Sequence, residues 1–542
     1  MSMKLSRAVP RPILSSRLEP KSDQYRRNRE AVLAQLEELE KLFAAARAGG
    51  GEKNVARHHQ RGKLLVRERI ELLVDRDSPF LELSPFAAAG TEYEVGAAVV
   101  GGIGVVSGVE CHISGNDPTV RGGAVNPYTL RKSLRGLEIC KQNRLPNIML
   151  TESGGADLPR QSEIFLPGGA SFRDLTQLSA LGIPTISLVF GNSTAGGAYT
   201  PAMCDYSVFV RDRAKVFLGG PPLVKMATGE ESTDEELGGA EMHSRVSGLS
   251  DYLAADELDA LRIGREIVAN LNWKKLGPAA AADVEEPVYD AEELLGLAPA
   301  DLKVPVDMRE IIARVVDGSR FHEFKPAYGA NLITGWASLY GYEIGILANQ
   351  QGVLFSAESQ KAAQFIQLAN RHQVPLIFIQ NVTGYMVGKQ YEQAGIIKHG
   401  AMMINAVSNS TVPHITLQIG GSYGAGNYGM CGYAYQPRFV FLWPNSKTAV
   451  MGPQQLAGVM SIVRRAAAQA AGKPIDEAQD AMMRKAVEDQ IERESLATFT
   501  SGQVFDDGII DPRDTRTVLG IALSAALSAE VKGAERFGVF RM

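Results

Sequence analysis

The sequence predicts an α/β fold built from two copies of one domain and preceded by a helical arm. Three observations carry this. From Arg61 onward, strand-like apolar runs alternate with helical stretches, the pattern of a mostly parallel sheet covered by helices. Residues 144–199 recur at 373–428 with constant spacing. Residues 23–46 carry an apolar stripe at helical spacing.

Taken in order, the first 18 residues hold Lys4, Arg7, Arg11 and Arg17 and no acid. That is the charge pattern of a mitochondrial transit peptide. Pro10, Pro12 and the lack of an amphipathic face favour a disordered basic tail instead. Ser22-Asp23 can cap a helix running to about Ala46, on which Leu33, Leu36, Leu39 and Phe43 form one stripe. Gly49-Gly50-Gly51 ends it, and the stripe reads as a packing arm. Asn147–Leu150 and Thr185–Val189 read as strands and Leu130–Gln142 as a helix. Composition shifts over 277–306, with Gly277-Pro278, an alanine run, an acidic cluster and three prolines. The expected organisation is a tail and arm over 1–60, a first domain over 61–285, a linker over 286–306 and a second domain over 307–542.

The copies are explicit. RLPNIMLTESGG (144–155) matches QVPLIFIQNVTG (373–384), and GIPTISLVFGNSTAGGAY (182–199) matches TVPHITLQIGGSYGAGNY (411–428). Pro146 and Pro375, Gly155 and Gly384, Pro184 and Pro413, Gly197 and Gly426, and Tyr199 and Tyr428 all lie 229 residues apart. Upstream, SPFLELSP (78–85) pairs with SRFHEFKP (319–326) at an offset of 241. A period this long means duplicated domains, not a solenoid.

Composition narrows the functions. A net charge of −5 disfavours a nucleic-acid surface, and no apolar run is long enough for a membrane span. Cys111, Cys140, Cys204 and Cys431 are scattered, without CxxC spacing, which disfavours zinc or a disulfide framework and fits a reducing compartment. No phosphate-binding G-x-x-x-x-G-K-[ST] loop and no G-x-S-x-G elbow is present. His58-His59 sit among arginines and read as a solvated basic patch.

Each half places two small-residue loops after apolar strands. These are Ser153-Gly154-Gly155-Ala156 and Thr194-Ala195-Gly196-Gly197-Ala198, then Val382-Thr383-Gly384-Tyr385 and Tyr423-Gly424-Ala425-Gly426-Asn427. Small side chains leave backbone N–H groups open. Where a helix starts, those groups are unpaired and carry the positive end of the dipole, a site for a developing oxyanion. Glu152, Asp157 and Glu163 lie near the first loop but read as surface or salt-bridge residues. With no evident acid–base set, the base belongs to a cofactor.

TESGGADLPRQ (151–161), STAGGAYTPAMCD (193–205), VFLGGPPLVKMATGE (216–230), GSYGAGNYGMCGYAYQPRFVFLWPN (421–445) and DDGIIDPRDTRTVLGIALSAALSAE (506–530) resemble the β subunits of biotin-dependent acyl-CoA carboxylases. The 3-methylcrotonyl-CoA carboxylase branch is the most similar, from about residue 20 onward. The resemblance implies two tandem crotonase-like domains, acyl-CoA on the first domain of one subunit and biotin at the second domain of another. Hexamers with active sites at dimer interfaces follow. It also implies that Gly154 and Gly155 amides hold the thioester oxygen and Ala425 and Gly426 amides the biotin ureido oxygen. Ala156, Gly196, Gly197, Ala198, Tyr199, Gly384, Tyr385 and Tyr428 would contact substrate. Biotin would ride on a partner carrying biotin carboxylase and carrier modules, because no Met-Lys-Met signature occurs here.

On this reading, carboxybiotin releases CO₂, the freed ureido nitrogen takes a proton from the acyl-CoA, and the enolate attacks CO₂. No metal is needed in this chain. Residues 165–180, Met451–Gln455 and Tyr428 depart from the expected pattern, which points to an altered or larger acyl group. Rival functions are the carboxyltransferase of a biotin-dependent decarboxylase and a non-catalytic assembly subunit. A bacterial cytoplasm is the expected compartment, with a mitochondrial matrix as the alternative.

Overall fold

The computed structural model describes residues 11–472 and 476–542. Lys4 and Arg7 of the basic tail lie outside this range. Two eight-stranded sheets organise the chain. The first runs through β1 (Leu81–Glu82), β2 (Val99–Val106), β3 (Val109–Asn116), β4 (Asn147–Ser153), β5 (Thr185–Thr194), β6 (Tyr206–Val210) and β8 (Tyr252–Ala254), with β7 (Lys215–Phe217) beside β5. β1–β3 pair antiparallel, and the rest are parallel. The second contains β9 (His322–Glu323), β10 (Leu332–Leu339), β11 (Tyr342–Asn349), β13 (Leu376–Val382), β15 (His414–Tyr423), β16 (Phe439–Leu442), β17 (Lys447–Ala449) and β18 (Gly508–Ile509) in the corresponding order. β12 (Val353–Leu354) and β14 (Gly384–Tyr385) form a separate parallel pair.

The duplication extends to individual turns. Ser107-Gly108 and Tyr340-Gly341 each join a hairpin with both residues at positive φ, the geometry that matches strand twist in a two-residue turn. Asp75 accepts both amides of the first turn and Asp317 both of the second. Helix α1 spans Asp23–Arg47, with the Ser22 side chain accepting from the Tyr25 amide. Helices α2 (Pro127–Asn143) and α4 (Ser356–His372) match across the halves, as do β4 with β13 and β5 with β15. Helix α3 (Gln161–Ala180) corresponds in its last fourteen residues to α5 (Ile396–Asn409).

Two expectations change. Residues 11–18 do not form a loose tail. Pro12 accepts from the Phe321 amide, Leu14 donates to Ser319, Ile13 bridges to Arg320, and Arg11 pairs with Glu343. The arm is thereby a strand-like strap on the second half. The expected linker is also packed. Leu294–Leu297 form a buried turn against α1, with the Tyr25 ring over Gly296. They share one core with Val32 of the arm, Ile139 of the first half and the second-half sheet, while Leu39 and Phe43 of the stripe pack instead on Phe86, Val440 and Leu442.

The halves are clamped by Arg135 and Asp507. The guanidinium donates twice to the carboxylate at 2.9 Å and also reaches the Pro437 and Arg438 carbonyls. Beside it lies Asp506, fully buried, whose carboxyl is pushed up to about 8 by loss of solvation and then by Asp507, against the Ser501 hydrogen bond. Its Oδ1 accepts from Ser501, and its Oδ2 has no partner. A carboxyl raised in the fold binds its proton more tightly than in the unfolded chain. Its contribution is therefore complete below the ordinary carboxylate range and lost as pH rises toward 8. Wild-type stability should fall between pH 5 and about 8, and Asp506→Asn should flatten that slope in urea midpoints. Parallel slopes for the two proteins would refute the assignment.

Candidate active site

Each site-bearing loop follows the C-terminal end of a central parallel strand, where open α/β sheets leave a crevice. β4 ends at Ser153, and Gly154-Gly155-Ala156 leave it, with Gly155 at φ 95°. β5 ends at Thr194 and turns directly into the short helical turn Ala195–Ala198. In the second half, Gly384 holds φ 133° after β13, and helix α6 (Gly424–Gly429) starts directly from β15. Ala195 and Gly424 occupy equivalent positions and both take left-handed φ, 52° and 54°. This kink aims the leading amides of each helical turn away from the strand.

The amides divide into committed and free. The Gly154 N–H donates to the Gly122 carbonyl at 2.9 Å, and the Gly155 N–H to Ser153 Oγ at 3.1 Å. The expectation that both stand open is corrected: the first loop is fastened to the Arg121–Gly123 turn. The amides of Gly196 and Gly197, and of Ala425 and Gly426, instead head short helical turns, where no carbonyl lies one turn earlier to receive them. Ser193 Oγ braces the first of these turns on the Gly197 carbonyl at 2.8 Å.

The first-half loops open onto a cleft of about 910 Å³. Gly155, Ala156, Gly196 and Gly197 line it, while Gly154, Ala198 and Tyr199 do not. Its walls are apolar side chains of α2 and α3, among them Leu130, Ile164 and Phe172, and the α2-facing side of β3 and β4. Ala425, Gly426, Gly384 and Tyr428 belong to the second half and lie outside this cleft. Gly426 packs so closely on the Gly384 turn that a Cβ would stand 2.6 Å from Val382 Cγ2 and 3.1 Å from Gly384 Cα. Tyr385 is half-buried, with its ring against Gly400 and its unpartnered hydroxyl against Gly429, and burial raises its pKa. Tyr199 and Tyr428 are equivalent, both about half exposed, and lean on Phe172 and Tyr435.

The carboxylates near the first loop are occupied. Glu152 is buried between Lys63 and Arg69, Asp157 accepts from Tyr93, and Glu163 pairs with Arg160. Among the described residues no cluster of metal-ligating side chains occurs. A second, basic cleft of about 220 Å³ is lined by Arg57, His58, Arg61, Arg121 and Gly122. It adjoins the first loop through the Gly122 carbonyl. Arg57 and Arg61 make no ion pair among the described residues, whereas Arg121 pairs with Glu94. Burial lowers the His58 pKa, and His58 bonds to the Leu64 carbonyl. The sequence showed this only as a cluster of basic residues.

Each half thus presents a short helical turn with unpaired leading amides, the first beside a large cleft, an arrangement suited to a developing oxyanion. Residues 57–540 match the carboxyl transferase domain model, and the chain belongs to that family. Within it, the chain is a β-type carboxyltransferase subunit of the biotin-dependent acyl-CoA carboxylases. It is 66% identical over 98% of its length to all of a probable biotin-dependent acyl-coenzyme A carboxylase β2 subunit of Mycobacterium tuberculosis. It is 48% identical, over 93% of its length and 96% of the relative, to the biotin-dependent 3-methylcrotonyl-coenzyme A carboxylase β1 subunit of that organism. The crystal structure of the geranyl-CoA carboxylase β subunit of P. aeruginosa superposes with a TM-score of 0.89 at 42% identity, covering 98% of this chain and 100% of that one. The tandem crotonase-like architecture is thereby established.

Proposed function

We propose that this chain carboxylates 3-methylcrotonyl-CoA or a related, longer branched enoyl-CoA, using carboxybiotin carried on a separate α subunit. The observation that carries this reading is the pair of free helix-leading amide sets at equivalent points of the two halves. Gly196 and Gly197 take the thioester oxygen as enolate charge develops, and Ala425 and Gly426 take the ureido oxygen of biotin. Carboxybiotin, when bound, supplies both the CO₂ and the nitrogen base. Gly154 and Gly155 then shape the loop rather than donate. Donors fixed in advance cost no reorganisation when charge develops, and a shared site supplies proximity.

The 910 Å³ cleft supports the longer members of the substrate class. The 3-methylcrotonyl- and geranyl-CoA carboxylase relatives bracket that range. The two amide sets sit in separate halves, and each is flanked by exposed apolar side chains, Leu158, Phe165 and Leu166 on one and Val387, Ile397 and Val450 on the other. Such patches mark association surfaces, which supports an oligomer, a hexamer in our reading, that pairs a first half with a second half of another copy. No described helix is long and apolar enough to cross a membrane. We assign the protein to a bacterial cytoplasm, in keeping with four unpaired cysteines.

The basic cleft is the seat of the CoA phosphates. Replacing Arg57 and Arg61 with alanine should weaken CoA-thioester binding about tenfold at low salt, with the gap narrowing as salt screens it. A pantetheine thioester without the phosphates should bind both proteins equally. Equal loss for both ligands would remove the phosphate assignment. The function itself is tested by ATP-dependent fixation of labelled bicarbonate, with the α subunit present, onto acetyl-, propionyl-, 3-methylcrotonyl-, geranyl- and long-chain CoA. Label on a branched enoyl-CoA is the expected result. No label on any, with an α subunit active on another β subunit, would refute it.

A further inference from the structure

The two halves differ in how they fill the layer between sheet and helix, and the difference names a chemical feature of the substrate. In the second half this layer is solid. Phe365 of α4 is fully buried, 4.6 Å from the Trp336 ring, and β11 and β13 face it with the paired residues Gly345 and Leu376. At the equivalent places the first half has Gly136 on α2 and the pair His112 and Asn147 on β3 and β4. Gly101 likewise stands where the second half has Thr334. All four first-half residues line the cleft.

The scaffold around them is unchanged. Lys132 Nζ donates to the Val99 carbonyl at 2.8 Å, as Lys361 donates to the Leu332 carbonyl at 2.7 Å. The lysine is therefore structural in both copies, and the His–Asn pair is the departure. His112 Nδ1 meets Asn147 Oδ1 at 2.9 Å, and burial lowers the imidazole pKa, so the ring is neutral. Asn147, 1% exposed, keeps Nδ2 buried without a partner. An unpaired buried amide destabilises a fold, so the Phe-for-Gly and Leu-for-Asn choices of the second half would be the more stable filling.

This far end lies at the start of β4, and Gly155 lies beyond its other end. The strand's seven residues separate them by roughly 20 Å at about 3.3 Å per residue. Given the acyl-CoA site proposed above, on which this rests, we infer that the cognate acyl chain is long and carries a hydroxyl or carbonyl oxygen on its distal part. Asn147 Nδ2 donates to that oxygen at the end of a mainly apolar cleft.

Isothermal titration of the intact purified protein with octanoyl-, dodecanoyl- and hexadecanoyl-CoA, and with the ω-hydroxy and ω-oxo form of each, tests this. At one chain length an oxygenated thioester should bind about tenfold tighter than its alkyl match, and the two oxygenated forms identify the preferred group. Asn147→Leu, which installs the second-half residue, should erase the preference. The double variant His112→Gly with Gly136→Phe copies the second-half packing and should lose hexadecanoyl-CoA binding, with melting curves confirming that both variants fold. Alkyl thioesters binding as well as oxygenated ones at every length, or a preference that survives Asn147→Leu, would overturn the inference. Binding of 3-methylcrotonyl-CoA alone would overturn it and leave the proposed function standing. Binding of no CoA thioester would remove both.

Discussion

Gly426→Val should reduce carboxyl transfer by roughly 10²–10³-fold, the usual cost of losing an oxyanion donor. The added Cβ would stand 3.1 Å from Gly384 Cα, and backbone cannot yield as a side-chain tip does. Helix α6 would have to move off the Gly384 turn, carrying the Ala425 and Gly426 amides with it. Alanine brings the same Cβ and should show most of the effect. The defect belongs to the second half, so binding of an acyl-CoA to the first should persist. A Gly426→Val protein that keeps its oligomeric state and CoA affinity but loses labelled-bicarbonate transfer fits this account. Transfer within threefold of wild type would show that the α6 amides are not used.

The second large effect concerns stability. Arg135→Leu should cost about 3–5 kcal/mol, because it leaves the Asp507 carboxylate buried without its cation. Both side chains are almost wholly excluded from solvent, and Asp507 and Glu138 hold the guanidinium more firmly protonated than usual. Asp507 also accepts the Val440 amide at 2.8 Å, so the loss reaches β16 as well as the junction between halves. Asp507→Asn should do less damage, since Glu138 still pairs with the Arg135 guanidinium at 2.8 Å. Urea unfolding of the three proteins measures the difference, and a loss under about 1 kcal/mol for Arg135→Leu would mean that water reaches the site in the variant.

Much of this architecture was legible in the sequence because it is written in local spacing. The 229-residue register, the arm helix capped at Ser22 and the strand–loop junctions all emerge from periodicity and glycine placement. What stayed hidden depends on residues far apart in the chain. Whether the Gly154 amide is free is decided by the carbonyl of Gly122, and nothing in the 151–161 motif reports that. Arg57, Arg61 and Arg121 become one cleft only after folding. The buried Leu294–Leu297 turn sits inside a proline- and acid-rich stretch whose average composition masked it. The hollow in the first half could have been read by aligning the copies residue by residue, where Gly136 opposes Phe365 at the same offset as the matched prolines.

The strap formed by residues 11–18 bears on how the protein is made. Its partners, among them Tyr289, Glu310, Ser319, Phe321 and Glu343, leave the ribosome long after the strap does. At about 5–20 residues per second, roughly 15 to 60 seconds pass before the strap has anything to bind. Over that interval the face of α1 that meets Leu294–Leu297 is uncovered, while the first half can already pack on Leu39 and Phe43. A segment synthesised long before its partners is thus among the last to be ordered, and a nascent chain stalled before β9 would display it to whatever chaperone or neighbouring chain is at hand.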